Sequence, residues 1–278
     1  MSNRIDARFN ELARERRTGF IAYITAGDPQ PSLTAPLVLE IEKRGADFIE
    51  LGVPFSDPLA DGAVNQRAAE RALAHGVDVR RVLGIVTKIR KSSEIPIIIF
   101  TYLNPVLSYG YARFARDAAR AGVDGILSLD LPPEEAARYE AELARRGVNG
   151  IFIIAPTTPA DRMKLIARHA RGFIYYVSRT GVTGVRAHLA AELAHRLRLV
   201  RRMTHTPIAV GFGISTAAHV RAVARLADAV VVGSALVSEI EHHREKSDLV
   251  TRVGEKVAQL TAPLRTGGRG RAQEVNDR

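Results

Sequence analysis

The chain reads as an α/β protein, a single (β/α)8 barrel, on three observations. Short apolar strand candidates alternate with amphipathic helical segments from end to end; there are eight strands; and several are nearly continuous apolar runs, such as Ile97-Ile98-Ile99-Phe100 and Val230-Val231-Val232. Runs of that kind suit strands covered on both faces, and strands separated by helices pair in parallel. Eight such units in series favour closure over an open doubly wound sheet. The length, 278 residues with 46% hydrophobic composition, suffices for one undivided barrel. We expect it to occupy residues 1–262, leaving 263–278 as a disordered basic tail, because Thr266 to Arg278 is Gly, Arg and polar residues with almost nothing to bury.

The elements follow in order. A helix from Arg4 to Arg17 carries Ile5, Phe9, Leu12 and Ala13 as an apolar stripe that can plug the bottom of the barrel. The strand candidates are Phe20 to Thr25, Asp47 to Leu51, Pro96 to Thr101, Gly125 to Leu129, Gly150 to Ala155, Phe173 to Val177, Ile208 to Gly211 and Ala229 to Val232. Helical spacing marks Gln66 to Ala74, Val79 to Lys91, Arg113 to Ala121, Glu134 to Arg146, Ala160 to Ala170 and Ala217 to Leu226, with a further short helix opening at Ser234. No second domain and no repeat beyond the βα unit is evident.

Composition excludes several classes of function. With no cysteine, disulfides and thiolate metal sites are ruled out. The histidines, including the solvated pair His242-His243, show no metal-ligand spacing with a third ligand nearby, and no serine sits in a nucleophile elbow. The formal charge of +10 invites a nucleic-acid reading, yet the densest basic stretch, Arg196, Arg198, Arg201 and Arg202, has no interleaved aromatics to stack bases. Nucleic acid is therefore not an expected partner. Met1 to Asp6 lacks an apolar secretory region and no apolar run has the length of a membrane span, so a cytoplasmic protein without membrane attachment is expected.

Chemistry in such a barrel belongs at the C-terminal ends of the strands. There the run Glu50-Leu51-Gly52-Val53-Pro54-Phe55-Ser56-Asp57-Pro58-Leu59-Ala60-Asp61-Gly62 sets one carboxylate at the end of a strand and others in a proline-bound loop. Asp57 and Asp61 alone would be ordinary turn formers. Period-2 alternation, however, puts Phe48 and Glu50 on one face, so an inward Phe48 places Glu50 at the mouth. Pro54 and Pro58 stiffen the loop, and Gly52 and Gly62 are expected to supply its turns. Two carboxylates in different environments can divide acid and base work. A second signal comes from Gly211-Phe212-Gly213 and Gly233-Ser234 after the last two strands, where backbone N–H groups and a helix N-terminus can receive a phosphate. The stretch Ser178 to Gly184 is flexible enough to act as a lid.

Taken together, Ile24 to Pro29, Glu50 to Gly62, Tyr102-Leu103-Asn104-Pro105, Asp130-Leu131-Pro132, Ser178 to Gly184, Gly211 to Ser215 and Gly233-Ser234-Ala235 resemble the tryptophan synthase α chain family, in order and at its spacing, over about residues 4 to 260. The resemblance implies retro-aldol cleavage of indole-3-glycerol phosphate to indole and glyceraldehyde 3-phosphate. It implies Glu50 as general acid and base and Asp61 as the group that binds the indole N–H. It further implies that Tyr23, Tyr102, Leu127, Ile153, Tyr175 and Phe212 wall the substrate pocket. Gly184, Gly213, Gly233 and Ser234 would hold the phosphate, Arg179 and Thr183 belong to the lid, and Pro54, Asp57 and Pro58 to a loop that meets the partner. No cofactor or metal is implied for this chain, pyridoxal phosphate being carried by the β chain of an αββα complex. A stand-alone lyase that releases indole, or a non-catalytic scaffold that activates a β-like partner, are the alternatives; intact Glu50 and Asp61 speak against the scaffold. Two departures stand out: Ala63 and Asn65 replace the Pro and Ile usual after Asp61-Gly62, and Ala22 replaces a usual proline. Losing the proline at 63 is expected to loosen the loop and weaken coupling to the partner.

Overall fold

In the computed structural model, which describes residues 3–178, 187–211 and 213–265, eight parallel strands close in sequence order. They are β1 (Gly19–Thr25), β2 (Phe48–Gly52), β3 (Ile97–Thr101), β4 (Gly125–Ser128), β5 (Asn149–Ile154), β6 (Ile174–Val177), β7 (Ile208–Gly211) and β8 (Ala229–Val232). Closure is made by β1, whose Ala22 pairs with Val232 of β8 while Tyr23 pairs with Glu50 of β2.

Strand alternation divides the core into two shells, because successive side chains leave a strand on opposite faces. Ile49 and Leu51 of β2 point outward into the layer between strands and helices, and Phe48 points inward. The inner shell stacks Ile21, Phe48, Ile98, Leu127, Ile151 and Phe173, and α1 (Arg4–Arg14) closes its bottom with Ile5, Phe9 and Leu12. The Phe9 ring lies 4.6 Å from Phe48 and 5.9 Å from Phe173. Ala13, expected in that stripe, is exposed instead. It follows Leu12 by about 100° around the helix, which carries it off the buried face.

A recurrence that composition hides organises the lower rim. Asp47, Asp124 and Asp228 each stand immediately before an even-numbered strand, in Gly45-Ala46-Asp47, Gly122-Val123-Asp124 and Leu226-Ala227-Asp228. Each accepts a backbone N–H near the start of the preceding strand, from Phe20, Ile97 and Ile208, all at 2.8 Å. Arginines balance the charges: Arg8 and Arg17 on Asp47, Arg4 and Arg90 on Asp124, Arg201 on Asp228. These buried carboxylates tie strand pairs at the end remote from the site.

The outer helices are α2 (Pro31–Lys43), α3 (Ala63–Ala74), α4 (Val79–Ile89), α5 (Leu103–Tyr109), α6 (Tyr111–Ala121), α7 (Ala137–Ala144), α8 (Ala160–His169), α9 (Ala187–Arg201), α10 (Ala217–Ala224), α11 (Ser234–His243) and α12 (Leu249–Arg265). Pro31 and Pro105 sit in the first turns of α2 and α5, where a missing N–H costs nothing. The helix expected over Glu134 to Arg146 divides: Pro133–Glu135 form a 3-10 turn and α7 begins at Ala137. Its opening follows from Pro132 and Pro133, which cannot donate and leave tight bonds from Glu135 to Pro132 and from Ala136 to Pro133. At the far end α12 continues to Arg265, so 263–265 are helical rather than tail; 266–278 lie outside the described residues.

Candidate active site

Above the inner shell the barrel opens into a cavity of about 640 Å³ at the C-terminal ends of the strands. Glu50 lies at its floor, 1% exposed, and its Oε1 has no hydrogen-bond partner. With no cation or donor among the described residues to stabilise the anion, burial pushes its carboxyl up to about 8. Apolar side chains surround it: Phe100, Leu129, Ile153, Val177 and Val231 line the walls with the rings of Tyr23 and Tyr175. Tyr23 packs edge-on to Phe100, with ring centres 5.0 Å apart.

Asp61 reaches the same cavity from the β2–α3 loop and is treated differently. Its Oδ2 accepts from the Tyr102 hydroxyl at 3.0 Å, and its Oδ1 accepts from Asn65 Nδ2 at 3.4 Å. Burial raises this carboxyl, and the two hydrogen bonds oppose the rise. The Tyr102 hydroxyl also accepts the Ala60 N–H at 2.9 Å, and its ring packs on Phe55. Tyr102 is not among the residues that line the cavity, where its place among the wall residues would put it. It is the post to which the Asp61 loop is tied. Leu127 is likewise absent from the wall, buried one layer lower in the inner shell, and Leu129 takes the expected place.

Segment 63–65, where the usual Pro and Ile are missing, is the first turn of α3. Gln66 reinforces it by donating Nε2 to the Asp61 carbonyl at 2.9 Å. Neither Gly52 nor Gly62 has a left-handed backbone, so neither supplies the turn it was expected to. Gly52 is needed for space: a Cβ there would sit 2.5 Å from the Tyr23 hydroxyl, and one at Gly211 would run into the hydroxyl of Tyr175. Two glycines thus seat two tyrosines beside Glu50. Pro54 is buried, whereas Asp57 is exposed and Pro58 half-buried.

A second edge of the cavity is formed by Gly213, Gly233 and Ser234. Gly213 adopts φ +70°, a conformation that favours glycine. Gly233 caps α11, whose Ser234 and Ala235 N–H groups precede the first intrahelical bonds, made by Leu236 and Val237 to the Gly233 carbonyl. Such an end suits an anion. The cavity therefore brings together Glu50, Asp61, Tyr23, Ile153, Tyr175, Gly213, Gly233 and Ser234. Arg179, Thr183, Gly184 and Phe212 lie outside the described residues.

A second cleft, of about 620 Å³, opens at the bottom between α1 and the end of α12. Its Arg4, Arg8 and Arg17 are already paired with Glu94, Glu11 and Asp47, which leaves less unbalanced charge than the upper cavity holds. Among the described residues no group of three His, Cys, Asp or Glu is arranged to hold a metal, and no helix is long and apolar enough to cross a membrane.

A parallel barrel whose C-terminal mouth holds a buried, unpartnered carboxyl, a second tethered carboxylate and an open helix N-terminus defines an acid–base enzyme of the (β/α)8 class. The chain belongs to the tryptophan synthase alpha chain family, whose model matches residues 9–264. It is 52% identical over 246 residues to the tryptophan synthase alpha chain of Solibacter usitatus, covering 88% of this chain and 92% of the relative. The Geotalea daltonii protein of the same description is 45% identical over 94% of this chain and 98% of its own length. Among solved structures, tryptophan synthase subunit alpha from Legionella pneumophila superposes with a TM-score of 0.88 at 42% identity, covering 95% of this chain and 99% of that one. Tryptophan synthase from M. tuberculosis gives 0.86 at 32% identity, covering 96% and 100%.

Proposed function

We propose that this chain is a lyase that cleaves indole-3-glycerol phosphate to indole and glyceraldehyde 3-phosphate, with Glu50 moving both protons. The observation that carries the reading is the Glu50 carboxyl, buried and unpartnered in an apolar cavity and so protonated near neutral pH. The acid form donates its proton to C3 of the indole ring, and the positive charge that develops spreads to the ring nitrogen, whose N–H faces the Asp61 carboxylate. The carboxylate left on Glu50 then takes the proton of the adjacent carbinol hydroxyl. As that O–H becomes a carbonyl, the C–C bond breaks and its electron pair returns to the ring. Indole and the aldehyde result, with Glu50 protonated again. Gly213, Gly233 and Ser234 would anchor the phosphate at the other edge, and Tyr23, Ile153 and Tyr175 would enclose the organic part.

Assembly with a β chain is the second element of the proposal. Leu59 and Leu107, 97% and 50% exposed, are the large hydrophobic side chains most open to solvent among the described residues. They lie on the loop carrying Asp57 and on α5 after β3, on the same side of the barrel as the cavity. Leucines left open at that end suit contact with a protein partner, and pyridoxal phosphate would belong to that partner. Ala63 and Asn65, in place of the usual Pro and Ile, would make that coupling weaker than is usual for the family, with association retained.

The experiment is an assay of indole release by the chain alone and during titration with a β chain. Complex formation with accelerated cleavage is expected; brisk cleavage with no complex would make this a stand-alone lyase. Glu50→Gln should keep substrate binding and lose indole formation by at least ~1,000-fold, and a folded variant with substantial turnover would overturn the acid–base assignment.

A further inference from the structure

Two helices begin at the cavity and are joined to each other outside it. The first turn of α3 brings Ala63, Val64 and Asn65 to the edge that holds Asp61; α11 brings Ser234 to a second edge, two strands away around the barrel. Farther along α3, Arg67 and Arg71 stand four residues apart on one face. Arg67 donates Nε and Nη2 to the two oxygens of Glu241 on α11, both at 2.7 Å, and Arg71 donates Nη1 to Glu241 Oε1 at 2.8 Å. Arg71 also grips Asp28, just past β1, through Nε at 2.7 Å and Nη2 at 3.0 Å. None of these four residues lines the cavity.

Surface ion pairs usually contribute little. This cluster differs in that the Asp28 side chain is fully buried and both carboxylates are held by forked guanidinium contacts, which fix direction as well as distance. Glu241 lies seven residues from Ser234, about 10 Å along a rigid helix. A restraint at that point governs where the helix ends sit.

We propose that Arg67, Arg71, Glu241 and Asp28 are positioning residues that set the separation between the Asp61 edge and the Ser234 edge of the cavity, and so select ligands that carry an aromatic ring and a phosphate at one fixed spacing. The inference rests on the lyase reading of the site. A ligand that spans both edges gains from having its two ends joined only when the spacing matches; separate fragments do not depend on it.

Arg71→Met would strand the buried Asp28 carboxylate and is expected to unfold the chain, so the test uses Glu241→Gln, which keeps the volume and removes the charge, alongside Arg67→Met. The probe is an indole joined to a phosphate by a three-carbon chain, measured by calorimetry on the full chain, with indole and glycerol phosphate as separate fragments. Glu241→Gln should weaken the spanning probe about tenfold, leave each fragment within about twofold, and raise KM for indole-3-glycerol phosphate more than it lowers kcat. Arg67→Met should do the same to a smaller degree. Unchanged affinity for the spanning probe in Glu241→Gln, with normal binding by the parent chain, would overturn this proposal alone, and so would fragments that weaken in parallel with the probe. A parent chain that binds none of the three would overturn the reading of the site, and this proposal with it.

Discussion

Glu50 owes its properties to what does not touch it. Its neighbours on the cavity wall are apolar or tyrosyl, and burial alone raises its carboxyl from 4.5 to about 8. Between those values the folded chain holds a proton that the unfolded chain has lost, so stability falls as pH rises. The contribution of the neutral group is complete below about pH 4.5 and is lost on passing through about pH 8. Glu50→Gln removes that dependence. The variant should match the parent near pH 4.5 and exceed it by a few kcal/mol, to order of magnitude, near pH 9. Urea unfolding at four or five pH values measures the difference, and a gap independent of pH would show that Glu50 is not buried as an acid. The same protonation predicts that kcat/KM declines above about pH 8, where the initiating acid is lost. That Glu50 faces inward was legible from strand alternation with Phe48. Its isolation was not, because the side chains that fail to reach it come from β3 to β8.

At the scale of elements, two glycines of one loop separate conformation from space. Gly52 ends β2 where a Cβ would meet the Tyr23 hydroxyl at 2.5 Å, whereas Gly62 caps α3 at φ −71° with nothing within 4 Å of an added Cβ. Gly52→Ala should therefore displace Tyr23, cost roughly 1–3 kcal/mol by overpacking and impair catalysis, and Gly62→Ala should change stability by less than about 1 kcal/mol. Equal effects in thermal unfolding would mean that crowding does not decide these positions. Sequence alone gave both glycines the same role, as suppliers of turns, since the ring that occupies the space above Gly52 comes from a different strand. Pro31 and Pro105 lie in the first turns of α2 and α5, where the missing N–H is tolerated only because of where each helix begins.

For the whole molecule, α1 is the stopper of the barrel rather than an appendage. Phe9 packs between Phe48 and Phe173 in the inner shell, so Phe9→Ala should cost about 3–5 kcal/mol despite lying outside the eight βα units and far from the cavity. A loss under about 1 kcal/mol by urea unfolding would show that the bottom closes without it. The sequence by itself determined the barrel, the order of its strands, the plug formed by Ile5, Phe9 and Leu12, and the end of the barrel that holds Glu50. These depend on periodicity, on parallel crossovers and on residue types at strand ends, all of which are local. Only the tertiary structure decided that Leu129 rather than Leu127 reaches the cavity, that Tyr102 tethers Asp61 instead of walling the pocket, and that Arg71 joins Asp28 to Glu241. Leu127 and Leu129 share one face of their strand, and alternation cannot say which of them stands at the height of Glu50. That height is set by the stagger of all eight strands on closure, a property of the closed sheet that no single segment encodes.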